Sequence, residues 1–219
     1  LDPGTTPAHR LLGYAQTHDQ IGNRALGDRL TARLSPGLLA CAAALVLCAP
    51  FTPMLFMGEE WGARTPWQYF TDHPDPALAE AVRTGRRREF EAHGWPAEEI
   101  PDPQDPATRD RSCLDWTEPG RPPHARLLAW YRRLIALRRA EPALTDPRWR
   151  YEELSVTAGG VVSFRRGPLR IAVNLTGRPA ALRPAGPVTE AVAAWRPVGL
   201  PDGAGGTLRL PPETAAVLR

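Results

Sequence analysis

Ser35-Pro36-Gly37-Leu38-Leu39-Ala40-Cys41-Ala42-Ala43-Ala44-Leu45-Val46-Leu47-Cys48-Ala49-Pro50, continued by Phe51-Thr52-Pro53-Met54-Leu55-Phe56-Met57-Gly58, is the stretch on which the fold turns. Ser35 is a good helix N-cap, and Pro36 suits the first helical position, whose N–H has no partner in any case. Residues 38–48 are apolar nearly all round, which predicts a helix buried on every side, and Pro50 ends it. Residues 53–57 then read as a buried strand that stops at Gly58. Upstream, residues 11–17 read as a second buried strand with Thr17, His18 and Asp19 at its tip. Strand, helix and strand, with both strands apolar throughout, make a parallel βαβ unit.

Outward from this unit the pattern changes twice. Asp75 and Pro76 open a helix that runs to about Phe90, and residues 91–123 are dense in Pro, Asp and Glu without periodicity. An irregular stretch of that length is either functional or disordered. Residues 126–140 are amphipathic, with Leu127, Tyr131, Leu134 and Ile135 on one side, Arg132, Arg133 and Arg139 elsewhere, and Pro142 as the stop. Beyond Asp146 the helical period gives way to strand alternation at Leu169, Ile171, Val173 and Leu175, and Gly159-Gly160 suits a hairpin turn. The expectation is an α/β region over residues 1–146, including a long loop excursion at 59–123, and an antiparallel β domain over 147–219.

Composition narrows the function. The chain has 219 residues, 42% of them hydrophobic and 23% charged, which suffices for a sizeable core and excludes a disordered chain. All 27 basic residues are arginines, spread among 24 acidic ones for a net charge of +3, so no face gathered for nucleic acid is indicated. Three cysteines, an odd number, argue against a secreted disulfide framework. Cys41 and Cys48 on one helix stand roughly 10 Å apart, beyond disulfide reach, and read as small buried apolar residues. No metal-ligand spacing appears and no cofactor is expected. The longest apolar run is broken by Pro50 and Pro53, too soon to span a bilayer, and the opening Leu-Asp-Pro-Gly has no signal-peptide pattern. These features predict a cytoplasmic protein without a membrane partner.

Thr17-His18-Asp19-Gln20-Ile21-Gly22-Asn23-Arg24 sets six hydrogen-bonding side chains in eight positions. They stand at the end of a strand, the end where parallel α/β barrels build active sites. Taken alone, a His-Asp pair there serves a site or caps a loop. Phe51, Phe56, Trp61, Trp67, Tyr69 and Phe70 are six of the chain's sixteen aromatics, and serve either as core or as flat surfaces for a sugar. Arg86-Arg87-Arg88 reads as a solvated helix face.

Four segments together resemble a known family. They are His-Asp-Gln-Ile-Gly-Asn-Arg-Ala-Leu-Gly-Asp-Arg-Leu (18–30), Pro-Phe-Thr-Pro-Met-Leu-Phe-Met-Gly-Glu-Glu-Trp-Gly (50–62), Thr-Pro-Trp-Gln-Tyr-Phe-Thr-Asp-His (65–73) and Pro-Asp-Pro-Gln-Asp-Pro-Ala-Thr (101–108). In this order they are similar to the malto-oligosyltrehalose trehalohydrolases, members of glycoside hydrolase family 13 in the α-amylase clan. The resemblance runs from about residue 11 to at least residue 147, and more loosely through the tail. It implies the C-terminal part of a (β/α)8 TIM barrel, carrying strands seven and eight, followed by a small antiparallel β-sandwich domain. It implies an α-glucan substrate, maltooligosyl trehalose, cleaved at the α-1,4-glucosidic bond next to its trehalose end. Asp19 would be the clan's third carboxylate, gripping hydroxyls of the sugar at the cleavage point and stabilising the oxocarbenium-like transition state. His18 would bond the same sugar. Gln20, Asn23 and Arg24 would shape the neighbouring subsite, with Arg24 either pairing with an active-site carboxylate or bracing the loop. Glu60 would support the site from behind rather than catalyse, and Trp61, Trp67 and Tyr69 would wall the glucan or trehalose end.

A retaining glycosidase needs two carboxyls about 5 to 5.5 Å apart. By the resemblance these follow strands four and five, upstream of the His-Asp motif, and only seventeen residues precede His18. Glu59 and Glu60 do not replace them, because neighbouring side chains on a strand point to opposite faces. The expectation is a portion of a longer enzyme, inactive by itself, with the oligomeric state open. Two other readings stand beside it: a fragment of another α-glucan-acting enzyme of the clan, branching or debranching, and a non-catalytic carbohydrate-binding remnant.

Overall fold

A computed structural model of the chain describes residues 2, 4–149, 152–203 and 205–219, residue 152 by its backbone alone. The first elements are β1 (Leu12–Gly13), α1 (His18–Gly22), α2 (Pro36–Cys48) and β2 (Thr52–Pro53). β1 and β2 pair in parallel, Leu12 opposite Thr52 and Gly13 opposite Pro53, so the βαβ crossover forms. Both strands are far shorter than the apolar runs suggest. Thr17 turns the chain out of the first by accepting the Gln20 N–H at 3.5 Å, which starts α1. The ladder of the second ends with the bond from Met54 N–H to Gly13 O at 2.9 Å, and residues 55–56 continue without regular structure.

α2 forms where the sequence places it, but Leu38, Ala42 and Leu45, one stripe at helical spacing, are only half-buried, so the helix is not enclosed on every side as expected. Ser35 Oγ accepts the Leu38 N–H at 3.1 Å and Pro36 occupies the first turn. At the other end Pro50 forbids another turn. The carbonyls of Leu47, Ala49 and Phe51 instead accept hydrogen bonds of 2.7–2.8 Å from the Arg138 guanidinium. Cys41 and Cys48 are free and buried in this helix, and burial pushes both thiols up to about 12.

The excursion is more ordered than its composition implies. It contains α3 (Pro76–Glu91) and α4 (Pro106–Arg111), the second lying in the segment expected to be irregular. Each opens with Asp-Pro: Asp75 and Asp105 accept the N–H of Ala77 and Ala107 at 2.9 Å. α5 (His124–Ala140) ends before Pro142, which begins one further turn, α6 (Pro142–Thr145).

The tail is antiparallel β structure: β3 (Glu152–Val156), β4 (Val161–Arg166), β5 (Leu169–Asn174), β6 (Ala180–Leu182), β7 (Ala191–Ala194), β8 (Leu208–Leu210) and β9 (Thr214–Leu218). Five strands form one sheet in the order β3-β4-β5-β9-β7, and β6 pairs with β8. All six residues of β5 are buried. Leu169, Ile171 and Val173 join the main core with Leu47 of α2 and Leu134 of α5, whereas Ala172 joins a second core with Leu208 and Leu210 of β8. The alternation along β5 thus separates two cores rather than core from water. The main core is continuous across residues 146–147, because one face of the five-stranded sheet packs on α2.

Candidate functional site

α1 carries the His-Asp pair. His18 Nε2 lies 3.1 Å from Asp19 Oδ1, and both side chains are largely exposed, 67% and 76%. Gln20 and Asn23 are exposed beside them, and the Asn23 N–H closes α1 by donating to Asp19 O at 2.9 Å. Arg24 Nε donates to Asp28 Oδ1 at 2.7 Å, and Arg33 Nε bonds the other Asp28 oxygen at 3.3 Å. Burial alone would raise the Asp28 carboxyl, but these two guanidinium bonds outweigh it and hold it below the ordinary carboxylate range. Of the two roles open to Arg24, bracing the loop is the one made within this chain.

Beneath the loop lies a buried polar network that sequence reasoning did not single out. Arg29, 3% exposed, donates to Thr65 O at 2.6 Å and Met57 O at 2.7 Å. Its guanidinium carbon stands 5.0 Å from the centre of the Phe56 ring. Glu59, 5% exposed, accepts from Tyr131 Oη at 3.0 Å and from the Phe56 N–H at 3.3 Å, and is also bonded by the Gln16 side chain. Burial pushes the Glu59 carboxyl up despite these donors. Gln16 Oε1 in turn accepts the Leu30 N–H at 3.1 Å, so one buried carboxylate is tied to both ends of the loop bearing His18 and Asp19. The only sequence signal for this was the residue type, an acid directly beyond an apolar run. Half-buried Glu60 stands close enough to favour the Arg29 charge electrostatically.

The aromatic expectations divide. Trp61 is 3% exposed, donates its indole N–H to Glu118 Oε2 at 3.1 Å and accepts a bond on its carbonyl from His124. It packs in the interior, where it borders a concavity of about 210 Å³ with Leu39, His124 and Leu127. Trp67 is half-buried, edge-on to Phe56 at 5.6 Å and to Phe70 at 5.4 Å, and lies against Gly22 of α1. Phe51 and Phe56 are half-buried as well, so burial does not set them apart from Trp67. Tyr69 is 41% exposed, with the Arg86 guanidinium carbon 4.9 Å above its ring. Arg86 itself overturns its expected place on a solvated face: it is buried, while Arg87 and Arg88 are exposed. Trp116, from the segment without periodicity, is 74% exposed, its ring 5.2 Å from that of Trp61.

A concavity of about 180 Å³ opens among Gln16, Gln20, Arg24, Asp28, Arg29 and Arg33. That is below the roughly 300 Å³ at which ligand pockets begin, so this concavity is too small to be a ligand site by itself. Among the described residues no group of three or more His, Cys, Asp or Glu is placed to hold a metal ion, and no helix is long and apolar enough to cross a membrane.

Known proteins give this geometry its context. A malto-oligosyltrehalose trehalohydrolase from Arthrobacter ramosus is 59% identical over 82% of this chain and 30% of its own length. One from Mycobacterium tuberculosis is 52% identical over 89% of this chain and 33% of its own length. The chain is a relative of the malto-oligosyltrehalose trehalohydrolases. It spans about a third of the length of the curated trehalohydrolases it matches. A solved Salmonella typhimurium protein, provisionally described as an α-amylase, is 33% identical with a TM-score of 0.78, covering 96% of this chain and 35% of that one. An α-amylase from H. orenii, 20% identical with a TM-score of 0.55 over 94% of this chain and 39% of its own, shares the fold alone. No family model matches the chain.

Proposed function

We propose that the chain is the C-terminal portion of a glycosidase that cleaves the α-1,4-glucosidic bond next to the trehalose end of maltooligosyl trehalose, releasing trehalose. The observation that carries this reading is the 59% identity to the Arthrobacter ramosus trehalohydrolase over 82% of the chain. In this reading β1 and β2 are strands seven and eight of a (β/α)8 barrel, and the two sheets of residues 147–219 are the small sandwich behind it. The parallel pairing of β1 with β2 agrees with that, as does Leu12, 58% exposed on a strand with one neighbour.

Asp19 then takes hydroxyls of the sugar at the cleavage point. Its exposure leaves the carboxylate open to a ligand, and His18 at 3.1 Å steers it and bonds the same sugar. Bonds that tighten as the ring distorts lower the barrier to the chemical step rather than merely holding substrate. Gln20, Asn23, Trp67 and Tyr69 border the adjoining subsite. The nucleophile and the acid/base belong to segments outside this chain, so the chain alone does not hydrolyse. The three free cysteines suit a reducing, cytoplasmic setting.

The test is a chimera in which this chain replaces the matching part of the Arthrobacter ramosus trehalohydrolase, assayed for trehalose release from maltooligosyl trehalose. The chimera is expected to be active and the 219-residue chain alone inactive. Asp19→Asn in the chimera is expected to lower kcat by about 100-fold or more with KM nearly unchanged. A folded chimera that releases no trehalose, or an Asp19→Asn change that moves only KM, overturns the reading.

A further inference from the structure

Arg86 belongs to α3 in the excursion, yet its guanidinium ends behind the loop that carries His18 and Asp19. Its Nη2 donates to Gly22 O, the last residue of α1, and lies 3.4 Å from Arg24 O. The guanidinium carbon stands 4.5 Å from the centre of the Phe90 ring and 4.9 Å from that of Tyr69. The nearest acid on α3, Glu89, is 3.9 Å away and half exposed. Besides that loose ion pair, the buried cation is held by ring faces and carbonyl oxygens. A planar guanidinium can serve two rings and a carbonyl at once, whereas the compact ammonium of lysine cannot. The carbonyls at the end of a helix are the groups left without intrahelical donors, so a donor there completes α1 on the turn directly after Asp19. Apolar packing reinforces the same junction: Ala25, one residue past Arg24, is buried against Phe90 and Ile100.

We propose that Arg86 is a positioning residue for the His-Asp pair. The excursion helix holds α1 in place chiefly through this side chain, clasped between Tyr69 and Phe90 and bonded to the loop carbonyls. The consequence for catalysis rests on the function proposed above, whereas the hold on the loop does not.

The experiment is amide hydrogen exchange by NMR on the 219-residue chain, comparing the unaltered protein with Arg86→Met and Arg86→Lys. The Ile21, Asn23 and Arg24 amides all donate within this turn and report on it. Arg86→Met is expected to speed their exchange about tenfold or more while core amides such as those of Leu134 and Ile171 keep their rates. Arg86→Lys, which keeps the charge and can reach one carbonyl, is expected to recover part of that protection. Unchanged exchange at residues 21–24 in a folded variant overturns the proposal. So does exchange that rises equally throughout the chain, which would assign Arg86 to general stability. If Arg86→Met does not fold, Arg86→Lys decides: full native protection at residues 21–24 overturns the proposal, and an intermediate rate confined to them supports it. In the chimera, Arg86→Lys is expected to lower kcat several-fold with KM little moved. An inactive unaltered chimera would sink the functional reading and leave the exchange result standing.

Discussion

Tyr131 Oη donates to Glu59 Oε1 at 3.0 Å with both side chains buried, so α5 and the turn after β2 meet on a single carboxylate. The phenol is pushed well above its ordinary value, first by burial and then by the adjacent Glu59 charge. Tyr131→Phe keeps the ring and removes one of the three donors to the buried Glu59 carboxylate. The expected cost is about 1–3 kcal/mol of stability, read from urea unfolding of the chain. A loss under about 0.5 kcal/mol would mean that water replaces the hydroxyl.

Glu59 and Asp28 should bend the pH–stability curve in opposite directions. The folded value of Glu59 is raised, so its contribution is fully present below the unfolded carboxylate value and is lost as pH rises through the folded one. The folded value of Asp28 is lowered, so its contribution is present above the unfolded value and is lost as pH falls through the folded one. The stability gap between the protein and Glu59→Gln should therefore shrink as pH rises, and the gap to Asp28→Asn should shrink as pH falls. Unfolding across about pH 3 to 8 checks both signs.

Two glycines predict opposite outcomes for the same substitution. Gly27 has φ +64°, and a Cβ there would stand 2.4 Å from Trp67 O, so Gly27→Ala should cost at least about 1–3 kcal/mol and shift the Trp67 environment. Gly85 lies inside α3 with nothing within 4 Å of its would-be Cβ, so Gly85→Ala should stabilise by about 0.5–1 kcal/mol. Thermal unfolding of the two variants separates them by sign.

Arg138→Met should cost about 2–4 kcal/mol, because it retains the aliphatic stem and strips the donors from the carbonyls of Leu47, Ala49 and Phe51. The loss should be nearly independent of salt, since the partners are carbonyls rather than carboxylates. A strong salt dependence in denaturant melts would place the effect in long-range charge instead.

Local rules carried a good part of the fold. Ser35 with Pro36, Asp75 with Pro76 and Asp105 with Pro106 each start a helix by the same device, a side-chain acceptor before a residue that needs no N–H donor. The third pair has the same signal, but α4 is short and its surroundings lack periodicity, so the segment reads as irregular. The exposed residues of the candidate site were legible too. His18, Asp19, Gln20 and Asn23 form a polar cluster at the end of an apolar run, and the structure sets them together on and beside α1.

What the sequence determined by itself is therefore local: where α2, α3 and α5 begin and stop, that most of α2 is buried, that the tail is antiparallel, and that the His-Asp turn is the polar end of a βαβ unit. Only the tertiary structure decided which charges are buried and what they hold. Arg86, Arg87 and Arg88 are indistinguishable as neighbours in the chain. One of them alone faces the ring of Phe90 and the carbonyls at the end of α1. Trp61 and Trp67 likewise differ in nothing a local pattern records, yet Glu118, Trp116 and His124 close around the first. Burial of a polar or aromatic side chain depends on partners dozens of residues away, and the hydrogen-bond partners Gly22 of Arg86 and Glu118 and His124 of Trp61 lie 57–64 residues distant. Spacing along the chain carries no record of that meeting.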